Sequence, residues 1–404
     1  MDSIINPKSL IQNPKSFRVL ILHNRYRQPG GEDVVVASQA KLLREKGHEI
    51  HLLEKHNSEI DSYGLFRKIG LFFQMADNPD SAAEVAKIVR EFKPHVAHVH
   101  NTLPLLSPSV YAPLNDANVK VIQYLHNYRL LCAAGTLHRE GQPCTLCVDG
   151  GLKHAVRHRC WNGSRMASLG FTRMLERHRR ARTWLTRVDL FVALNTYMRD
   201  LLVQQNLVPK EKIVVQPNFS YPPSFQGGEA GEGFIYTGRL TPEKGLVTLL
   251  KAHEKLSGVT LRIIGDGPLR NTEPIESSVQ AEFLGHLSDE DLRRHVGCSR
   301  ALVFPSEWQE PFGLSIIEAM ALGKPVIASR VAGPMEIVQE GVTGLLFEPG
   351  NSAALADCMR RLNEDPKLAV TLGRAGRERF LQEYSPEAGY RRILKNCSRL
   401  EIML

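Results

Sequence analysis

The sequence predicts an α/β protein of two Rossmann-like, doubly wound parallel sheets facing each other across a cleft. Three observations lead there. Short apolar runs alternate with helical segments through the first half of the chain, a Pro- and Gly-rich stretch from Pro217 to Gly233 interrupts them, and beyond it the alternation starts again. With 404 residues, against ~150 per domain, the chain has room for two or three domains. Its 43% hydrophobic and 23% charged residues match ordinary globular chains and exclude a disordered, collagenous or disulfide-stapled protein.

In chain order, residues 1–16 (MDSIINPKSLIQNPKS) carry an acid at position 2 and no continuous apolar segment. They read as a flexible polar leader rather than a secretory signal, which makes the cytoplasm the expected compartment. Residues 17–217 form the first, acceptor-side domain. It opens with an apolar strand from Phe17 to His23, a Gly-containing loop from Arg25 to Asp33 and a helix from Val34 to Lys46. Strands follow at His48 to Leu53, His95 to His100, Val119 to Leu125, Asp189 to Leu194 and Ile213 to Gln216, with a helix from Ala82 to Phe92 and a Cys-containing insertion over 132–187. Residues 218–233 are the linker.

Residues 234–385 form the second domain. Its strands are Phe234 to Tyr236, Thr260 to Ile264, Ala301 to Pro305 and Pro325 to Ser329. Its helices are Leu246 to Leu256, Asp289 to Cys298, Ile316 to Leu322, Asn351 to Glu364 and Pro366 to Gln382. A terminal helix, 386–404, is expected either to cap this domain or to cross back to the first. Two lobes around a hinge leave a ligand cleft between them.

The most informative segment is Glu307 to Ser329, EWQEPFGLSIIEAMALGKPVIAS. After the strand, Pro311 and Gly313 make a tight entry into a helix whose first turn, around Leu314 and Ser315, exposes backbone N–H groups and a positive dipole end suited to phosphate. Glu310 precedes that helix and Glu318 lies within it, so both carboxylates can face one ligand over the helix start. Carboxylates beside a phosphate site accept hydrogen bonds from sugar hydroxyls. The spacing alone also fits two solvated glutamates. In FIYTGRLTPEKG, Phe234 to Gly245, a strand runs into Arg239 and Lys244, two cations suited to a diphosphate.

Together these segments resemble family 4 of the nucleotide-sugar glycosyltransferases, enzymes of the two-domain GT-B fold. The resemblance rests on GRLTPEKG from Gly238, RIIGDGPL from Arg262, FLGHLSDEDL from Phe283 and EPFGLSIIEAMALGKPVIAS from Glu310. In the first domain QPGGEDVVV, HVHN and LHNYRLLC fit more loosely. The resemblance implies transfer of a sugar from a nucleoside diphosphate to an acceptor hydroxyl with retention, without an obligatory cofactor, in bacterial cell-surface polysaccharide or glycolipid synthesis. It assigns the developing diphosphate charge to Arg239, Lys244 and the helix start at Phe312, Gly313, Leu314 and Ser315. It gives the sugar hydroxyls to Glu310, the ribose to Glu318 and backbone approach to the diphosphate to Gly30 and Gly31. His126 would touch the sugar near the reacting carbon, with His100 a weaker candidate, and the base would be read near Gly285 to Leu287.

Two features lie outside that scheme. Cys132, Cys144, Cys147 and Cys160 form C-x11-C-x2-C-x12-C, compatible with a closed structural zinc site, equally with free or partly paired thiols, and as a lesser alternative with a redox role. Between Lys153 and Arg187 ten basic residues face one acid, Glu176, and carry more than the whole net charge of +8. Interleaved with Trp161, Met166, Leu169, Phe171, Met174, Leu175 and Trp184, they suit an interfacial helix. With Phe66, Leu71, Phe72 and Phe73 they predict a membrane-facing patch, an anionic lipid surface as partner and a lipid-linked glycan acceptor at the inner face of the plasma membrane. The alternatives are a solvated basic face over a buried core, another GT-B enzyme such as a nucleotide-sugar epimerase or a phosphorylase, and, in a different class, a zinc-containing nucleic-acid binder. The last leaves Glu310 to Ser329 unexplained, so no nucleic acid is expected.

Overall fold

The computed structural model describes residues 16–27, 30–225, 227, 231–270, 272 and 281–402. Apart from Ser16, the expected leader lies outside the described residues, as do positions 226 and 228–230 of the expected linker. The first lobe holds a six-stranded parallel sheet of β1 (Arg18–Arg25), β2 (Glu49–His56), β3 (Val96–Val99), β4 (Lys120–Leu125), β5 (Leu190–Ala193) and β6 (Ile213–Val215), in the order β2-β1-β3-β4-β5-β6. The second holds β7 (Phe234–Thr237), β8 (Leu261–Ile264), β9 (Ala281–Gly285), β10 (Ala301–Phe304), β11 (Val326–Ser329) and β12 (Gly344–Phe347), in the order β9-β8-β7-β10-β11-β12. Order reverses beside β1 and beside β7, and in such sheets ligands bind outside the strands' carboxyl ends at that point.

Strand alternation sorts the first sheet's residues onto two layers. Leu20, Leu22, Ala97, Val99, Val121 and Phe191 join one core, while Val19, Ile21, Val96, Ile122, Leu190 and Val192 join the other. The second core is completed by helix α1 (Gly31–Glu45) and by the chain's last helix, Pro386–Arg399, through Tyr390, Ile393 and Cys397. The terminal helix thus crosses back from the second lobe to the first. His48 and Tyr390 share a 2.9 Å hydrogen bond there, Asn396 Nδ2 donates to Gln216 Oε1 at 2.7 Å, and Lys46 pairs with Glu387. The expected linker is anchored at the same place, where Phe219 is buried and the Ser220 N–H donates to the Tyr384 carbonyl at 3.0 Å.

The insertion over 132–187 contributes to the other core. Its main helix, α2 (Arg165–Arg180), buries Phe171, Met174 and Leu175, and Trp161 and Trp184 are buried with them. This corrects the expectation that its apolar residues face lipid for all but Met166: Trp161, Phe171, Met174, Leu175 and Trp184 enter the core and Leu169 is half-buried, while Arg173, Arg177 and Arg180 stay outside and Arg179 is half-buried. The exposed apolar groups belong instead to a shorter helix, Leu65–Gln74, whose Phe66 is 90% and Phe73 65% exposed, joined by Met166 of α2. The two helices approach closely because Gly170 has no Cβ, which would lie 2.8 Å from the Phe72 ring. Among the described residues no helix is long and apolar enough to cross a membrane.

Candidate active site

The second lobe's contribution begins where β7 ends. Its chain turns through Gly238 and a short helical turn, Pro242–Lys244, into the helix Leu246–His253. Gly245 makes that turn possible: its φ is +71° and a Cβ there would lie 1.8 Å from the Pro305 carbonyl oxygen. The close approach brings Lys244 Nζ within 2.5 Å of Glu310 Oε2. The same oxygen accepts from Ser306 Oγ at 3.0 Å and Trp308 Nε1 at 2.8 Å. Oε2 is therefore saturated, while Oε1 takes no hydrogen bond among the described residues. Arg239 holds its guanidinium largely in solvent, 4.0 Å from Glu243.

Helix Leu314–Ala321 starts at Gly313, whose φ of +129° L side chains rarely adopt, and Leu314 and Ser315 at its first turn are half-buried. Phe312 lies in the core of the second lobe. It is buried against Tyr384, 6.2 Å between ring centres. Glu318 is half-buried on the same helix, and burial pushes its carboxyl up against the opposing pull of Arg293.

From the first lobe, Gly30 caps α1 and donates its N–H to Asp33 Oδ2 at 2.7 Å. The other Asp33 oxygen lies 2.9 Å from His23 Nε2. Burial would raise the Asp33 carboxyl, but the hydrogen bonds from His23 and Gly30 outweigh it and hold the group below its ordinary range. Gly31 stands at the lobes' near approach, where a Cβ would lie 3.1 Å from Leu314 Cδ1. His126, at the end of β4, forms a 2.8 Å hydrogen bond from Nε2 to His100 Nδ1. Burial lowers both histidines, His100 the more, since His126, His23 and His98 add to it; Glu32 opposes the shift at His126.

Both lobes thus bring expected residues to the cleft: Gly30, Gly31 and His126 on one side, Arg239, Lys244, Glu310, Gly313, Leu314 and Ser315 on the other. Sequence reasoning missed several groups that complete it. Asn195 caps the helix Thr196–Gln204 and donates its Nδ2 across the cleft to the Pro311 carbonyl at 2.6 Å. Glu32 Oε2 accepts from Tyr26 Oη at 2.8 Å, and Arg129 Nη1 donates to that hydroxyl at 2.5 Å. Glu32 and Asp33 directly after two glycines, at a helix N-terminus, were the available signal.

The four clustered cysteines are neighbours in the insertion. Burial, then Cys132 and Cys160, push the Cys147 thiol up to about 11, and Cys160 is raised in the same way. Among the described residues no group of three His, Cys, Asp or Glu side chains is arranged to hold a metal ion.

Comparison with known proteins agrees with this architecture. The profile for glycosyltransferase family 4 matches residues 29–219 and that for glycosyl transferases group 1 matches residues 226–379. The sulfoquinovosyl transferase of Arabidopsis thaliana is 36% identical over 148 residues, 36% of this chain, and the match spans only 29% of that protein. The N-acetyl-alpha-D-glucosaminyl L-malate synthase of Bacillus anthracis is 22% identical over 90% of this chain and 92% of its own. Among solved structures, the complex of Anabaena HepE with UDP-glucose superposes with a TM-score of 0.66 at 18% identity, over 95% of this chain and 99% of that one. The two parallel six-stranded lobes and this superposition give the chain the GT-B fold. The chain belongs to glycosyltransferase family 4.

Proposed function

We propose that this protein moves a sugar from a nucleoside diphosphate to an acceptor hydroxyl with retention of anomeric configuration. One observation carries the reading: Lys244, Glu310 and the helix start at Gly313 to Ser315 converge on the cleft edge of the second lobe. Lys244, Arg239 and the first N–H groups of that helix take up the charge that develops on the leaving diphosphate, in place before the reaction begins. Glu310 keeps Oε2 on Lys244 and offers Oε1 to the sugar hydroxyls. Glu318 takes the ribose, Gly30 and Gly31 let the backbone approach the diphosphate, and His126 meets the sugar from the opposite lobe. The scheme draws its positive charge from protein groups and calls on no cofactor.

A thermal-shift screen against UDP, GDP, ADP and CDP and their sugars tests this. A ligand at a hundred times its Kd stabilises the folded chain by ~2.7 kcal/mol, a readable shift. UDP-glucose comes first because the HepE complex, which shares the fold, holds it. Stabilisation by one nucleotide supports the reading and names the donor class; folded protein that none of them stabilises overturns it.

For the acceptor we propose a lipid-linked glycan of bacterial cell-surface polysaccharide or glycolipid synthesis, reached from the inner face of the plasma membrane. The support is the surface where Phe66, Phe73 and Met166 stand exposed beside a groove lined by Arg173, Arg177 and Arg180. Apolar side chains projecting beside arginines complement an anionic bilayer surface. For the insertion, structural zinc is the proposal, resting on the cysteine spacing and on Cys132, Cys144 and Cys160 lying near enough to Cys147 to act on its thiol. Elemental analysis of protein purified without chelator decides it: about one zinc per chain supports it, and less than about one-tenth removes it.

A further inference from the structure

A buried row of histidines runs inward from His126, and one amide decides where their protons sit. Gln39, on α1, is buried. Its Oε1 lies 3.2 Å from His98 Nδ1 and 3.0 Å from His100 Nε2. A carbonyl oxygen only accepts, so both of those ring nitrogens carry hydrogen. Burial pushes His98 down to about 3 and His100 well below its ordinary value, so near neutral pH each ring is uncharged and has a single N–H. The Nδ1 of His100 is then a lone pair. His126 Nε2, 2.8 Å away, must supply the hydrogen between them.

His126 is itself neutral, lowered by burial, and its one N–H is engaged with His100. Its Nδ1 is therefore also a lone pair, and the one hydrogen bond of the ring among the described residues is at Nε2. His126 lines a first-lobe cavity together with Glu32, Asn127 and Arg129.

We propose that Gln39, acting through His100, holds His126 in the Nε2–H tautomer, so that His126 meets the donor sugar as a hydrogen-bond acceptor at Nδ1. Gln39 is a positioning residue: it lies two hydrogen bonds from His126 and acts only by orienting protons. Every N–H in the row points inward, from His126 to His100 to Gln39, so a sugar hydroxyl at Nδ1 has to be the donor. The sugar contact rests on the reading of His126 given under the proposed function, whereas the tautomers are a property of the free protein. The groups facing the row are Tyr124, stacked on His100 at 4.7 Å, His23, 6.2 Å from His100, and His48 beside His98. Glu32, Asp33 and His23 face His126.

Long-range ¹H–¹⁵N NMR of the full chain, labelled at histidine and free of ligand, reads each tautomer directly. At pH 7 the expected pattern is Nδ1–H at His98 and Nε2–H at both His100 and His126. His126 found as Nδ1–H overturns the proposal. The near-isosteric Gln39→Glu keeps both acceptor bonds and adds a negative charge, so His100 is expected to titrate at a higher pH than in wild type. Once both His100 nitrogens carry hydrogen, its Nδ1–H confronts His126 Nε2, and His126 has to switch to Nδ1–H with the same midpoint. A His126 signal that stays unchanged while His100 titrates overturns the coupling. If Gln39→Glu does not fold, Gln39→Met removes the shared acceptor, and the expected result is a mixture of tautomers at His126; a single unchanged tautomer counts against the proposal. The sugar contact is tested apart from this. If wild type shows the expected tautomers but His126→Leu binds the nucleotide sugar selected in the thermal-shift screen as tightly as wild type does, the contact is refuted and the tautomer assignment stands.

Discussion

At the scale of single residues, Glu310 divides its two oxygens between two tasks. Oε2 receives three donors, Lys244, Ser306 and Trp308, and this fixes the carboxylate's orientation before any ligand arrives. Pre-set charge of this kind stabilises a transition state without reorganisation, and removing one such contact usually lowers kcat by about 10²- to 10³-fold. Lys244→Ala and Glu310→Gln are each expected to lower kcat/KM by about that factor while leaving the unfolding temperature near wild type. Turnover within a few-fold of wild type in either variant would refute the assignment. Gly245 makes a different prediction, one of stability. Its positive φ and the Pro305 carbonyl 1.8 Å from where a Cβ would sit leave no room for alanine, so Gly245→Ala is expected to destabilise the fold by about 1–3 kcal/mol. Urea unfolding at neutral pH measures it, and a change below about 0.5 kcal/mol contradicts it.

At the scale of elements, the helix Leu65–Gln74 and α2 separate two kinds of apolar residue that the sequence presents alike. In α2 the apolar side chains recur at helical spacing, a pattern shared by a helix lying on lipid and one lying on protein; only its surroundings decide, and here Phe171, Met174 and Leu175 join the core cluster that also holds Val99, Val121 and Phe191. The alternation of strands and helices, the broad helix positions and the helix start at Gly313 were legible, because hydrophobic period and glycine placement encode them locally, whereas strands β9 and β12 and the order of strands in each sheet were not. The cleft's crossing contacts were not. Asn195 to Pro311 joins positions far apart in the chain, and the Gln39, His98 and His100 cluster assembles only when β3 lies against α1. The distinction between the two helices carries its own prediction. Phe66→Asp with Phe73→Asp is expected to leave folding intact and to cut co-sedimentation with phosphatidylglycerol vesicles at low salt at least several-fold, whereas Phe171→Asp is expected to unfold the first lobe. Wild type that ignores those vesicles, or a double variant that binds them as wild type does, removes the membrane face.

At the scale of the whole molecule, the two lobes are tied together by a helix that belongs to one in sequence and to the other in packing. The tie passes through His48. Its Nδ1 accepts the Phe17 N–H at 3.3 Å, so in the neutral ring the hydrogen is on Nε2, which donates to the Tyr390 hydroxyl at 2.9 Å. Protonation would place a hydrogen on Nδ1 against that N–H, and burial already disfavours the charged ring, so His48 is pushed down to about 4 from an ordinary 6.5. The unfolded chain therefore binds this proton more readily than the folded one, and stability rises with pH across the interval. The contribution is complete above pH 6.5 and is lost as the pH falls towards 4, amounting to about 3 kcal/mol at 1.36 kcal/mol per pH unit. His98 and His100 are depressed by burial too and add to the acid sensitivity, so the measurement has to isolate His48. Urea unfolding of wild type and His48→Gln at pH 7, 5.5 and 4 does so. The variant is expected to start less stable and to lose about 3 kcal/mol less across that range, because glutamine does not titrate. Parallel curves for the two proteins would mean that the joint between the terminal helix and the first lobe does not depend on the charge of His48.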